Sequence, residues 1–171
     1  MVIWLLGLSG SGKSYLSKKL QEFYKKKGKN FLIVDGDLIR KIFKNDLGYS
    51  LKDRERNASR ISNLVLFLSQ NRINVIVPVL SIFPKWLIWN KKKMKNYYQF
   101  LIDVNIEKLK KRNNKNIYYK SSTRMNKNVV GLDIKYIKPK NVDLILSNKF
   151  TKHSYLKNIK LIDKLISKNF E

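Results

Sequence analysis

Val2-Ile3-Trp4-Leu5-Leu6-Gly7-Leu8-Ser9-Gly10-Ser11-Gly12-Lys13-Ser14 is the stretch on which the fold turns. Its first five residues are apolar without alternation and end at a glycine, the pattern of a parallel strand buried on both faces. The next eight, Gly7 to Ser14, match G-x-x-x-x-G-K-[ST] in full. Glycines let backbone N–H groups turn inward around phosphate oxygens with no Cβ in the way. The helix that follows points its positive end at the anion. In this pattern Lys13 reaches the β- and γ-phosphates of a nucleotide and Ser14 offers its hydroxyl to Mg²⁺. A strand, this loop and a helix in sequence make an ATP- or GTP-binding site the expectation for Gly7, Leu8, Ser9, Gly10, Ser11, Gly12, Lys13 and Ser14.

Outward from the loop the chain alternates. Tyr15 to Lys27 places Leu16, Leu20, Phe23 and Tyr24 on one helical face, and Gly28 stops it. Asn30 to Val34 reads as a second strand, Leu38 to Lys44 as a short helix and 45–56 as a loop. Asn57 to Asn71 reads as a helix carrying Ile61, Leu64, Val65 and Leu68. Val75 to Leu80 is a third strand, although Pro78 cannot donate to a ladder. No element is assigned between Leu80 and Phe100. Phe100 to Val104, Ile106 to Lys111, Asp143 to Leu146 and Tyr155 to Ser167 complete the series as strand, helix, strand and helix. Such alternation predicts an α/β fold, a P-loop-type parallel sheet flanked by helices. The 171 residues read as a single domain, with residues 112–131, polar and without periodicity, as a lid loop.

The composition excludes several classes. There is no cysteine, so neither a disulfide framework nor a thiolate metal site is available. Met1 to Leu6 is too short for a signal peptide and no apolar run reaches a membrane span, so a soluble, cytoplasmic protein is expected. Lys and Arg total 37 against 12 acidic residues, a formal net charge of +25. Such charge attracts nucleic acid. It also fits compositional drift, since the excess is mostly Lys and comes with Asn and Ile spread along the whole chain. A basic nucleic-acid-binding protein therefore stays as an alternative of another class.

A second constellation follows the second strand. Asp35-Gly36-Asp37 falls at its carboxyl end, where open α/β sheets bind ligands. Two carboxylates there serve Mg²⁺ through water and an acceptor hydroxyl; the plainer reading is an Asx-turn capping the next helix. Arg40, Arg54 and Arg60 with Asn57 form an arginine group in a Lys-rich chain. Arginine's fork suits bidentate recognition of phosphate or sulfate, while surface pairing with Asp53 and Glu55 is the alternative. The lone histidine, His153, reads as surface or structural.

Gly7–Leu16 with Asp35-Gly36-Asp37-Leu38-Ile39-Arg40, Asp46-Leu47-Gly48-Tyr49-Ser50 and Asp53-Arg54-x-x-Asn57-x-x-Arg60 resembles the adenylylsulfate kinase family in motif, order and spacing. The resemblance covers about residues 2–147 and loosens after residue 80. It implies an ATP- and Mg²⁺-dependent kinase that phosphorylates the ribose 3′-hydroxyl of adenylyl sulfate. It also implies roles: Asp37 faces that hydroxyl, Asp35 and Ser14 lie at the metal, and Arg40, Arg54 and Asn57 hold the acceptor. By the same likeness Tyr49 stacks on the acceptor base and Lys115 comes from the lid to touch phosphate oxygens, as a catalytic residue beside Lys13 and Asp37. Relatives of this kind are often dimers, so a homodimer is implied too.

The sequence departs from the family where the acceptor base is held. The family's Phe-Thr-Gly-Ile reads Val129-Val130-Gly131-Leu132, which removes the second ring of the base sandwich. The Ser-Pro-Tyr segment reads Ser81-Ile82-Phe83-Pro84, and the lid carries Asn113, Asn114 and Asn116. One aromatic stack is worth about 1–3 kcal/mol, enough to move the preference off adenine. Members related to surface-polysaccharide pathways phosphorylate cytidine diphosphoramidate instead, and that acceptor stands as the alternative within the family.

Overall fold

The computed structural model describes residues 1–112, 118 and 128–167. Five strands, β1 (Val2–Leu6), β2 (Phe31–Ile33), β3 (Asn74–Val79), β4 (Tyr97–Asp103) and β5 (Leu144–Ser147), form one sheet in the order β2-β3-β1-β4-β5. Every pairing in it is parallel. The helices are α1 (Lys13–Lys26), α2 (Gly36–Ile42), α3 (Leu51–Gln70), α4 (Pro84–Lys93), α5 (Ile106–Arg112) and α6 (Lys152–Ile166).

The alternation of β1 builds both halves of the core. Ile3 and Leu5 pack with Leu16, Leu20 and Tyr24 of α1 and Ile159 and Ile162 of α6. Val2, Trp4 and Leu6 face the other way, against Ile61 and Val65 of α3 and Leu87 of α4. A strand wanted by both layers must be apolar at every position, which is why its sequence shows no period of two.

Pro78 sits inside β3 opposite Leu5. It is tolerated there because β2 pairs with β3 only as far as Ile76 and then turns away into Asp35. That departure opens the sheet beside Pro78.

Two helices differ from expectation. α3 begins at Leu51 rather than Asn57, so Arg54 and Arg56 lie within the helix rather than before it. Its first turns are polar and carry no apolar stripe, but Ser50 caps them by accepting from Asp53 N–H at 3.2 Å. α4 was not expected at all. Proline at its first position suits a helix start, but Trp86-Leu87-Ile88-Trp89 is continuously apolar and shows no helical period. No helix among the described residues is long and apolar enough to cross a membrane.

Candidate active site

The five strands end on the same side of the sheet, and a cleft of about 920 Å³ opens there. Its lining runs from the Gly7–Ser14 loop after β1 to Asp35 and Asp37 after β2 and Leu80 and Ser81 after β3. The crevice outside the carboxyl ends of a parallel sheet is where such folds hold ligands.

The phosphate loop is held from outside itself. Lys13 is buried, and its Nζ donates to the Gly7 and Leu8 carbonyls at 2.9 and 2.7 Å. Asn148 Nδ2, just after β5, donates to the Ser11 carbonyl at 2.9 Å and to the Tyr155 hydroxyl at 3.1 Å. The buried Tyr118 hydroxyl donates to the Ser9 carbonyl at 2.9 Å, and burial pushes its pKa up to about 12. Gly12 has φ +97°, and a Cβ there would lie 2.6 Å from Tyr155 Oη, so both conformation and space demand glycine. Neither Asn148, Tyr118 nor Tyr155 was legible as a site residue, because each meets the loop across about a hundred residues or more of sequence.

Ser14 Oγ donates to Asp35 Oδ2 at 3.2 Å, while Asp35 Oδ1 accepts from Asp37 N–H at 2.8 Å and caps α2. The capping and phosphate-site readings of Asp35 therefore coexist, one on each oxygen. A hydroxyl and a carboxylate beside phosphate-binding amides are the hard oxygen donors that Mg²⁺ takes when it also binds phosphate, so these residues fit that ion.

On the other side of the cleft the arginines divide. Arg40 is 6% exposed, and its Nη1 donates to the Leu47 and Gly48 carbonyls at 3.0 and 2.7 Å. Arg54 Nε donates to the Tyr49 carbonyl and Nη2 to the Asn128 carbonyl, both at 2.9 Å. Both guanidinium carbons lie near the Tyr49 ring, at 4.8 and 5.2 Å from its centroid. Burial, and then the charge of Arg40, lower the pKa of Arg54 from its usual value. Arg60 is not part of this group. It forms a fork with Asp46, at 2.7 and 2.6 Å, and covers Phe43.

Val129 and Val130 are buried and line the cleft opposite, where Gly131 at φ +94° leaves no room for a Cβ beside Ile106. At the phosphate-loop end, Arg112 lies 3.8 Å over the Phe150 ring and donates to the Gly10 carbonyl at 3.3 Å, a flat cationic–aromatic wall. His153 is exposed on α6, away from the cleft lining. Lys115, Asn113, Asn114, Asn116 and most of the expected lid lie outside the described residues.

Two curated relatives are matched over most of their own length. A cytidine diphosphoramidate kinase of Campylobacter jejuni is 37% identical over 150 residues, covering 86% of this chain and 85% of that protein. An adenylyl-sulfate kinase of Buchnera aphidicola is 32% identical over 148 residues, covering 85% and 72%. Among solved structures, the APS kinase of Mycobacterium tuberculosis in complex with AMPPNP and APS superposes with a TM-score of 0.85 at 27% identity, over 95% of this chain and 96% of that one. A gluconokinase of Sinorhizobium meliloti shares the fold at a TM-score of 0.64 and 14% identity. The family model for adenylylsulphate kinase matches residues 1–147, and the chain belongs to that family of ATP- and Mg²⁺-dependent phosphotransferases.

Proposed function

We propose that the chain moves the γ-phosphate of ATP to the ribose 3′-hydroxyl of a nucleotide with a two-group acidic chain, with cytidine diphosphoramidate ahead of adenylyl sulfate. The observation that carries this order is the base wall. Tyr49 supplies one ring, and buried Val129 stands where the resemblance calls for the second. A slot with one aromatic face holds a small pyrimidine as well as a purine and gives up the stacking that favours adenine. The Campylobacter relative's likeness over most of both chains supports the same order. Adenylyl sulfate remains the second reading on the strength of the family model and the Buchnera relative.

The residues then divide the work. The loop amides and Lys13 hold the β- and γ-phosphates, and the wall of Arg112 and Phe150 takes the ATP base. Mg²⁺ bound with the nucleotide near Ser14 and Asp35 would neutralise phosphate charge. Asp37 receives the proton of the acceptor hydroxyl while its oxygen bonds to the γ-phosphorus. The bond from that phosphorus to the β–γ bridging oxygen breaks, and ADP leaves. Arg40, Arg54 and Asn57 fix the acceptor's anionic chain, so most of the catalysis is positioning and charge stabilisation.

The test is ADP release from Mg-ATP with cytidine diphosphoramidate, adenylyl sulfate or neither. Release above background with the cytidine compound, at higher kcat/KM than with adenylyl sulfate, is expected. The reverse order assigns the protein to sulfate activation, and release with neither sinks the nucleotide-acceptor reading.

A further inference from the structure

Among the described residues, four polar atoms in side chains that line the cleft are buried and have no hydrogen-bond partner: Trp4 Nε1, Asn57 Oδ1, Ser62 Oγ and Trp86 Nε1. Trp4, Asn57 and Ser62 are 3%, 6% and 0% exposed. Buried polar groups are nearly always paired, and four orphans on one cavity point to a ligand that pairs them. They come from β1, α3 and α4. Ile61 and Leu87 pack with Trp4 in one cluster there.

The chemistry of this wall is uncharged. Along the α3 side of the cleft the polar lining changes from the guanidinium of Arg54 to the amide of Asn57, one turn on, and the hydroxyl of Ser62. Cation gives way to neutral donors and acceptors over about 12 Å of helix. The orientation of Asn57 is fixed, because its Nδ2 donates to the Gly36 carbonyl at 3.3 Å. Turning the amide over would set Oδ1 against that carbonyl. Its free atom is therefore an acceptor only and must meet an N–H or O–H. The two indole N–H groups are donors only and must meet an oxygen.

We propose that this wall is an end-group subsite, which selects an acceptor whose phosphoryl chain ends in an amide, P(=O)–NH₂, over one ending in a bare phosphate or sulfate. The amide N–H supplies the donor that Asn57 Oδ1 lacks, and the phosphoryl oxygen receives the Trp86 or Trp4 indole. A terminal sulfate has oxygens alone and leaves Asn57 Oδ1 facing negative charge. This inference rests on the nucleotide-acceptor reading and deepens it, naming what discriminates the acceptor at the end opposite its base.

The experiment uses a pair of acceptors with the same base, cytidine diphosphoramidate and CDP, on the full chain with Mg-ATP. The wild type is expected to favour the amide by about tenfold in kcat/KM, the size of one buried acceptor left unpaired. Asn57→Ala, which removes the unpaired acceptor, is expected to reduce that preference several-fold, and Trp86→Phe, which removes a donor to the phosphoryl oxygen that both compounds carry, to weaken both alike. Thermal melting confirms that the variants fold, and calorimetry is expected to show unchanged ATP affinity. Equal kcat/KM for the two acceptors, or a preference untouched in Asn57→Ala, overturns the subsite. If neither cytidine compound is phosphorylated, the acceptor assignment fails first, and calorimetric binding decides the subsite. Binding of the amide no tighter than CDP then overturns it as well.

Discussion

The two walls of the cleft are finished to different degrees. On the phosphate side the protein braces the loop in advance: Lys13 is held by Gly7 and Leu8, Ser11 by Asn148, Ser9 by Tyr118 and Gly10 by Arg112. On the acceptor side Trp4, Asn57, Ser62 and Trp86 each keep a buried polar atom without a protein partner. A triphosphate presents the same oxygens in every reaction, so its cradle can be locked in advance, and preorganised donors cost nothing at the moment of transfer. An acceptor varies between relatives, so its recognition has to be left for the ligand to complete.

Removing Lys13 should break this division most severely. Lys13→Ala is expected to lower kcat/KM by about 10²–10³-fold or more with every acceptor, since it deletes a charge aimed at the migrating phosphoryl group. ADP release measured across the acceptor panel checks it. A variant that lost activity with one acceptor and kept it with another would place Lys13 on the wrong wall, and full activity would overturn the phosphate site.

Asp37 lies where the walls meet, in the first turn of α2, which Asp35 caps. Asp37→Asn keeps the shape and removes the proton acceptor, so kcat is expected to fall by about 10²–10⁴-fold. Calorimetric ATP affinity should change little. Equal losses in turnover and ATP affinity would move Asp37 to the metal side and redraw the boundary between the walls.

The same division explains what was legible in the sequence. Phosphate chemistry forces glycines, a lysine and a hydroxyl into fixed spacing, so β1, the loop and α1 could be read from thirteen consecutive residues. The order of strands and helices followed from their apolar runs. The acceptor side hides its function inside ordinary residues: Trp86 sits in a continuous apolar run and Ser62 in the middle of a helix, and both look like packing. The first turns of α3 were read as loop because they are polar and carry no apolar stripe, although Ser50 and Asp53 stand at capping spacing. Asn148, Tyr155 and Tyr118 support the loop from afar, and only the tertiary fold brings them to it.

The smallest effect is expected at Arg60, the arginine that sequence alone could not separate from Arg40 and Arg54. Its fork to Asp46 braces the segment that carries Tyr49, but both partners are on the surface and neither lines the cleft. Exposed pairs of this kind contribute little. Asp46→Asn is expected to leave ATP affinity unchanged and to raise the acceptor KM at most a few-fold, through a looser Tyr49. The hydrogen bond from Arg60 lowers the Asp46 pKa from its ordinary value. A carboxylate depressed in the folded state stabilises the fold above its unfolded pKa, about 3.9, and loses that contribution as pH falls through the folded value. The small difference in melting temperature between wild type and Asp46→Asn should therefore be constant at neutral pH and shrink only below about pH 4. A large loss of acceptor turnover in Asp46→Asn at neutral pH would show that the acceptor wall is also locked in advance, and would remove the contrast between the two sides of the cleft.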